Sequence, residues 1–312
     1  MNYKLHLLTN YDNLCKIKKI LETKDTNYFT TTKINEKNLD ENTISIVMTA
    51  CNRPIQTYFT IDIIAKSSYK NVQIILVDDS TDDPVMLERL SQFGVHIELI
   101  TIKNKFWVNP CVNYNIGFQH IRGGKVIIQN AEVCHMGDVL KYVEENVIDD
   151  GYYAFNVYAL QNESSNNMLY DIGDMSSDNY EKITSLPHDI IYNGWYQHLI
   201  YRNAYYHFLV ALTTKTFNKI GGFDIDYAMA VGWDDNELVF KLQENNVNLL
   251  NVTHNVMGIH QWHKTTAAGR YDQILNYHLY NCKCKYYDLN GSFLNLTCYD
   301  KEHISEIVNK WF

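Results

Sequence analysis

The stretch IIQNAEVCHMGD, residues 127–138, begins as an apolar run and ends as a loop that carries Glu132 between Ala131 and Val133. A carboxylate just beyond a strand end is the kind of hard oxygen donor that Mg2+ or Mn2+ takes; the plainer alternative is a solvated loop acid. Two other apolar runs end in residues able to do chemistry. ISIVMT is followed by ACNRP, so Thr49, Asn52 and Arg53 offer hydroxyl, amide and guanidinium groups, while VQIILV runs into Asp78, Asp79 and Ser80. An aspartate in such a place can accept a hydrogen bond from the ring NH of a uracil, or can simply cap the helix that follows. Neither G-x-G-x-x-G nor G-x-x-x-x-G-K-S/T is present, so no dinucleotide fingerprint or P-loop is involved.

The elements that must position these residues alternate along the chain. Residues 44–49, 72–78, 96–102 and 125–130 are short runs rich in β-branched residues, the pattern of strands buried on both faces. Segments of helical length begin near Pro54, Pro84 and Pro110, where a first helical turn tolerates proline. This alternation predicts an α/β fold: a mainly parallel, Rossmann-like sheet wound right-handed with helices on both faces. Ligands of such sheets bind outside the carboxyl ends of the strands. Thr49 to Arg53, Asp78 to Ser80 and Asn130 to Glu132 therefore converge on one crevice. Beyond residue 150, YYAFNVYAL reads as a strand, the Asn/Ser/Asp-rich residues 161–181 as a surface loop, and Asp235 to Asn245 as an amphipathic helix.

The chain of 312 residues is 46% hydrophobic, enough to bury a core without disulfides. A net charge of −9 gives no general attraction for phosphate backbones or anionic membranes, and no local basic patch offsets it, so nucleic acid is not an expected partner. Seven cysteines without C-x-x-C spacing imply neither a disulfide framework nor a zinc site. The first twenty residues lack the apolar stretch of a signal peptide, and no run approaches the length needed to span a bilayer, so a cytoplasmic location is expected.

Taken together, the motifs give the sequence a specific likeness. It resembles the family 2 glycosyltransferases, GT-A-fold enzymes that use nucleotide-diphosphate sugars. The matching residues are Thr49, Asn52 and Arg53; Asp78-Asp79-Ser80; NIGF at Asn115 to Phe118, read as a turn; Asn130-Ala131-Glu132; GGFD at Gly221 to Asp224; and GWDDNEL at Gly232 to Leu238. The likeness spans roughly residues 44 to 265. It implies residues 1–42 as an N-terminal extension, 43–265 as the GT-A domain with a nucleotide half (43–135) and an acceptor half (136–265), and 266–312 as a C-terminal helical extension.

The resemblance also implies roles. Thr49, Asn52, Arg53, Asp78, Asp79, Asn115 and Asn130 would bind the nucleotide. Where the family usually has D-x-D, this chain has Asn130-Ala131-Glu132, so one carboxylate is left, which suffices where the diphosphate supplies further oxygen ligands. His260 of MGIHQWHK would complete the shell of Mn2+ (or Mg2+), with imidazole favouring Mn2+, and His263 would contact phosphate. Asp235, the second acid of the pair, would be the base that deprotonates a glycan or other hydroxyl acceptor; Asp234 and Asp235 could equally be helix-capping acids. Gly222, Phe223 and Asp224 would lie near the acceptor, and Trp195, Trp233 and Trp262 are candidates for stacking on sugars, although tryptophan is more often core. The expected activity is inverting, metal-dependent transfer of a hexose from a nucleotide-diphosphate sugar, UDP-linked by preference. The alternatives are a non-catalytic sugar- or nucleotide-binding protein derived from the same fold, or a nucleotidyltransferase, which would want a glycine-rich basic loop that TACNRP does not provide.

Overall fold

The computed structural model describes residues 3–253, 256–264 and 270–312. In chain order the elements are α1 (Tyr3–Thr23), β1 (Phe29–Ile34), β2 (Ile44–Ala50), α2 (Pro54–Lys66), β3 (Val72–Asp78), α3 (Leu87–Ser91), β4 (His96–Ile102), α4 (Cys111–Phe118), β5 (Lys125–Asn130) and β6 (Val133–Met136). They continue with α5 (Val139–Asn146), β7 (Gly151–Phe155), β8 (Val157–Ala159), α6 (Glu163–Ile172), α7 (Tyr180–Thr184), β9 (Trp195–Gln197), β10 (Leu209–Thr213) and α8 (Thr214–Ile220). The last are α9 (Asp234–Glu244), β11 (Asn248–Val252), β12 (Met257–His260), α10 (Arg270–Asn290) and α11 (Lys301–Trp311).

Eight strands form the main sheet in the order β1-β4-β3-β2-β5-β10-β7-β11. Its centre, β4-β3-β2-β5, is parallel, as the alternating pattern predicts, and β7 pairs in parallel with β11. Two strands depart from that: β10 runs antiparallel between β5 and β7, and β1 lies antiparallel against β4. Residues along β2 and β3 alternate between two cores. Ile46, Met48, Ile74 and Leu76 face one, while Val47, Ile75 and Val77 face the other, so both faces are apolar. A smaller sheet, β6-β12-β8-β9, follows directly from β5 and carries its own core around Tyr158, Leu169, Ile183 and Ile259.

Several sequence readings change in the folded chain. Residues 1–42, expected as an extension, supply edge strand β1 and the amphipathic helix α1, which buries Leu7, Tyr11, Leu14, Ile17 and Ile20 at helical spacing. NIGF is not a turn but lies inside α4. Its Gly117 lets the helix sit on the sheet, since a Cβ there would come within 2.8 Å of Val47 Cγ1. Residues 161–181 are not all loop: Asn162 caps α6 in a reciprocal box with Ser165, and Gly173 ends it in the left-handed conformation. YYAFNVYAL is two strands in two sheets, β7 and β8, broken at Asn156. The expected boundary at residues 265–266 falls outside the described residues at 265. Helices α10 and α11 and the segment between them pack on α1 through Leu279, Ile304, Val308 and, from that segment, Leu294. Among the described residues no helix is long and apolar enough to cross a membrane.

Candidate active site

The carboxyl ends of β2, β3 and β5 open onto a cavity of about 400 Å³. Because β10 is antiparallel to β5, with Leu209 opposite Gln129, the start of β10 reaches the same end and brings His207 and Phe208 into the wall. The turn before α9 closes the far side with Asp234 and Asp235.

On the nucleotide side the expected residues divide into those that face the cavity and those that shape it. Thr49, Arg53, Asp79 and Asn130 line it. Asp79 accepts from Asn113 Nδ2 at 2.8 Å and is paired with Lys105. Asp78 turns inward instead, accepting from the backbone NH groups of Ser80 and Val85 at 3.0 Å each and from the Ser80 hydroxyl. Burial pushes its carboxyl up, only partly offset by those donors. Asn52 adopts the left-handed conformation, φ 55°, and its Oδ1 accepts from the NH groups of Thr81, Asp82 and Asp83 at 3.1, 2.9 and 3.0 Å. Asn130 accepts from the Tyr114 hydroxyl at 3.1 Å. Asn115 does not reach the cavity; it clamps Phe223, accepting from its NH at 3.0 Å and donating to its carbonyl at 2.8 Å.

Glu132 is buried at the centre of a polar cluster. Its Oε1 lies 2.5 Å from Arg53 Nη1, 3.4 Å from His260 Nε2 and 3.5 Å from His263 Nε2. Two strands bring the cluster together: β12 pairs with β6, setting His260 opposite Val133. The Gln261 NH then donates to the Glu132 carbonyl at 3.0 Å, pinning the chain just past His260. Ligand atoms of Glu132, His260 and His263 all lie within 4.8 Å of one another. Glu132 Oε2 is buried and without a hydrogen-bond partner among the described residues, an oxygen that a cation would satisfy. Burial opposes the charge on Glu132, but Arg53 and the two histidines outweigh it and hold the carboxyl well below its usual range. Burial pulls His260 down, toward the neutral imidazole that a metal requires. One carboxylate with two imidazoles fits a divalent first-row ion such as Mn2+ better than Mg2+.

Across the cavity, Gly232 and Trp233 both take positive φ, 73° and 67°, and start α9 so that its first two residues are the acids. Asp234 is buried and accepts from Asn109 Nδ2 at 2.9 Å; burial, together with Asp235, pushes its carboxyl up to about 6. Asp235 is paired with His207. Trp233 points away from the cavity lining and packs on Tyr277 and Tyr280 of α10 at centroid distances of 4.7 and 5.4 Å. Trp195 is likewise core, buried against Tyr158 in the small sheet. Trp262 is held by Asn166 and Gln56 through its backbone. Gly222, φ 85°, approaches Asn115 so closely that a Cβ would lie 2.7 Å from its Oδ1. Phe223 packs on Tyr114 and His207. Asp224 is not near the cavity: it is buried in an ion pair with Lys283 Nζ at 2.5 Å, which also holds Asp226.

With that geometry in place, the family comparison decides the assignment. The sequence profile of glycosyl transferase family 2 matches residues 45–209, more than half the chain. The chain belongs to this family. No curated protein matches it significantly. Among solved structures this family 2 chain is similar to S. aureus TarS, residues 1–349. The TarS complex with UDP-GlcNAc superposes with a TM-score of 0.55 and 11% identity, covering 86% of this chain and 71% of that one. TarS without that ligand gives 0.53 and 12%, covering 86% and 70%. The mannosyltransferase PcManGT from Pyrobaculum calidifontis, in complex with GDP-Man and Mn2+, aligns over 99% of this chain and 84% of its own, with a TM-score of 0.44 and 10% identity. At these identities the likeness to TarS shows a shared GT-A fold and no more.

Among the polar residues that line or support the cavity, Lys105, Asn109, Asn113 and His207 escaped the sequence reading. Lys105 follows β4, a strand end that the same carboxyl-end rule would have included. The other three carry no local signal of a site role, since each reaches the cavity acids through a partner far along the chain.

Proposed function

We propose that this family 2 glycosyltransferase moves a hexose from a nucleotide-diphosphate sugar, UDP-linked, to a hydroxyl acceptor with inversion at the anomeric carbon. The observation that carries the proposal is the placement of Glu132, with His260 and His263 behind it, and Asp235 on one cavity. Glu132, His260 and His263 would hold Mn2+; when bound, the ion supplies positive charge where the diphosphate departs. Asp79 and Thr49 are placed to receive the nucleoside, and Asp235 to take the acceptor proton. As the acceptor oxygen bonds to the anomeric carbon, the carbon–oxygen bond to the diphosphate breaks and keeps its electron pair on the leaving group. The proton passes to Asp235. Of the cavity carboxylates, Glu132 is buried against Arg53, Asp79 is paired with Lys105 and Asp234 is buried against Asn109, whereas Asp235, paired with His207 through one oxygen, keeps a side chain 27% exposed for the acceptor. A lone base of this kind supports single displacement and hence inversion. The fold of TarS, solved with UDP and with UDP-GlcNAc, accommodates donors of the proposed class.

A second reading has its own observation: Arg53 already neutralises Glu132 at 2.5 Å. On that reading the cluster is a structural ion pair and nucleotide binding ignores metal. Thermal shift with UDP, GDP, CMP and dTDP sugars, with and without Mn2+, separates the two. Ligand at a hundredfold over Kd stabilises by about 2.7 kcal/mol. The proposal expects one nucleotide to stabilise the protein more with Mn2+ than without, and Glu132→Ala to abolish the metal-dependent part. Stabilisation indifferent to both metal and Glu132 selects the ion-pair reading.

A further inference from the structure

The ring of His207 is fixed more firmly than a cavity wall requires. Tyr114 meets it edge-on at 4.8 Å and 84°, and Phe223 does so at 4.9 Å and 64°. Phe223 is itself clamped at both its backbone NH and its carbonyl by Asn115. His207 Nδ1 and Asp235 Oδ1 meet as an ion pair; both atoms are buried, and neither has a hydrogen-bond partner elsewhere among the described residues. The Asp235 side chain as a whole is still 27% exposed, whereas that of His207 is 9% exposed. One carboxylate oxygen is thus held from behind while the remainder of the group opens to the cavity.

We propose that His207 is a positioning residue for Asp235: its Nδ1–H holds Oδ1 so that Oδ2 is the oxygen presented to the acceptor hydroxyl. This rests on the reading of Asp235 as the base. A carboxylate without that anchor rotates about its last torsion and offers the acceptor a spread of directions, and misplacement of about 1 Å can cost a hundredfold in rate. The groups that face the imidazole are Asp235, Asp234 and Glu132, with the Tyr114 ring against it. Burial disfavours the charged ring, but these acids, Asp235 foremost, outweigh it and raise the His207 pKa above its ordinary value.

The test uses the full chain with Mn2+ and the UDP-hexose that stabilises it most, reading UDP release with water or added hydroxyl acceptors. His207→Phe fills the aromatic box without a donor, and His207→Asn places an amide NH near the position of Nδ1. The expected result is a fall in kcat of about 10- to 100-fold for His207→Phe with donor KM unchanged, and recovery of most of it in His207→Asn. Wild-type kcat in His207→Phe, or equal loss in both variants, overturns the proposal. Asp235→Asn keeps the two readings apart. If it turns over normally, the base assignment fails; if it is inactive while His207→Phe is normal, only the role of His207 fails. NMR of histidine-labelled protein gives a readout independent of turnover. Asp235→Asn should lower the pH at which His207 titrates, and an unmoved titration overturns the contact itself.

Discussion

The two sides of the cavity are built by different means. On the proposed nucleotide side, Thr49, Asp79 and Asn130 stand at or just past the ends of neighbouring parallel strands, and sheet register sets the spacing of those ends, Ala50 opposite Asp78 and Thr49 opposite Asn130, with nearby Asn113, Lys105 and Tyr114 holding the side chains. On the acceptor side, the acidic pair is held by pieces from across the chain. Asn109 donates to Asp234, His207 is paired with Asp235, and Asn276 of α10 donates to the Gly232 carbonyl at 2.9 Å. Lys283, also from α10, locks the turn that follows Phe223. A binding surface can be made from one repeated supersecondary unit. A base aimed at one atom needs convergent support.

Substitutions can break or sharpen this contrast. The largest effect is expected from Asp235→Asn, which should lower kcat by about 10²–10⁴ while leaving the nucleotide-induced thermal shift intact; loss of the thermal shift as well would mean that the two sides are not separable. Next comes Lys283→Met. It leaves Asp224 and Asp226 as uncompensated buried acids, so denaturant unfolding should show a loss of about 3–5 kcal/mol. An effect within experimental error would remove α10 from the support of the acceptor side.

The smallest effect concerns Asp234 and depends on pH. Its folded-state pKa, about 6, lies above the ordinary 3.8, so folding favours the protonated acid. The associated stability is present below the ordinary value and is lost as pH rises through about 6. Asp234→Asn keeps the hydrogen bond from Asn109 and removes the buried charge. The variant should match the wild type near pH 4 and exceed it by about 1–3 kcal/mol at pH 7.5, measured as Tm against pH. A constant difference across that range would show that Asp234 is not the group that titrates.

The same contrast explains what could be read from sequence. Strands β2, β3, β4 and β5 were legible because burial on both faces leaves continuous β-branched runs, and the carboxyl-end rule then located the crevice. Glu132 and His260 were expected as partners, and β12 against β6 does bring them together with His263. Asp224 and Trp195 were misplaced toward the acceptor because a charged turn residue and a tryptophan look alike whether they face a cavity or a core. What distinguishes them is Lys283 and Tyr158, respectively. His207 carried no signal at all, since its only cue is a contact with Asp235 across the fold. Edge strand β1 was hidden because FTTTKI buries only Phe29 and Ile34 at its two ends, with four polar residues between them, so it lacks the apolar continuity of the central strands.

Asn52 bears on how donor association should appear calorimetrically. Its side chain gathers the NH groups of Thr81, Asp82 and Asp83 into one conformation, so the loop after β3 is ordered by hydrogen bonds from within the chain. A preordered loop surrenders little conformational entropy when a ligand arrives. Nucleotide association should therefore lack the large compensating enthalpy and entropy changes of a segment that folds on binding.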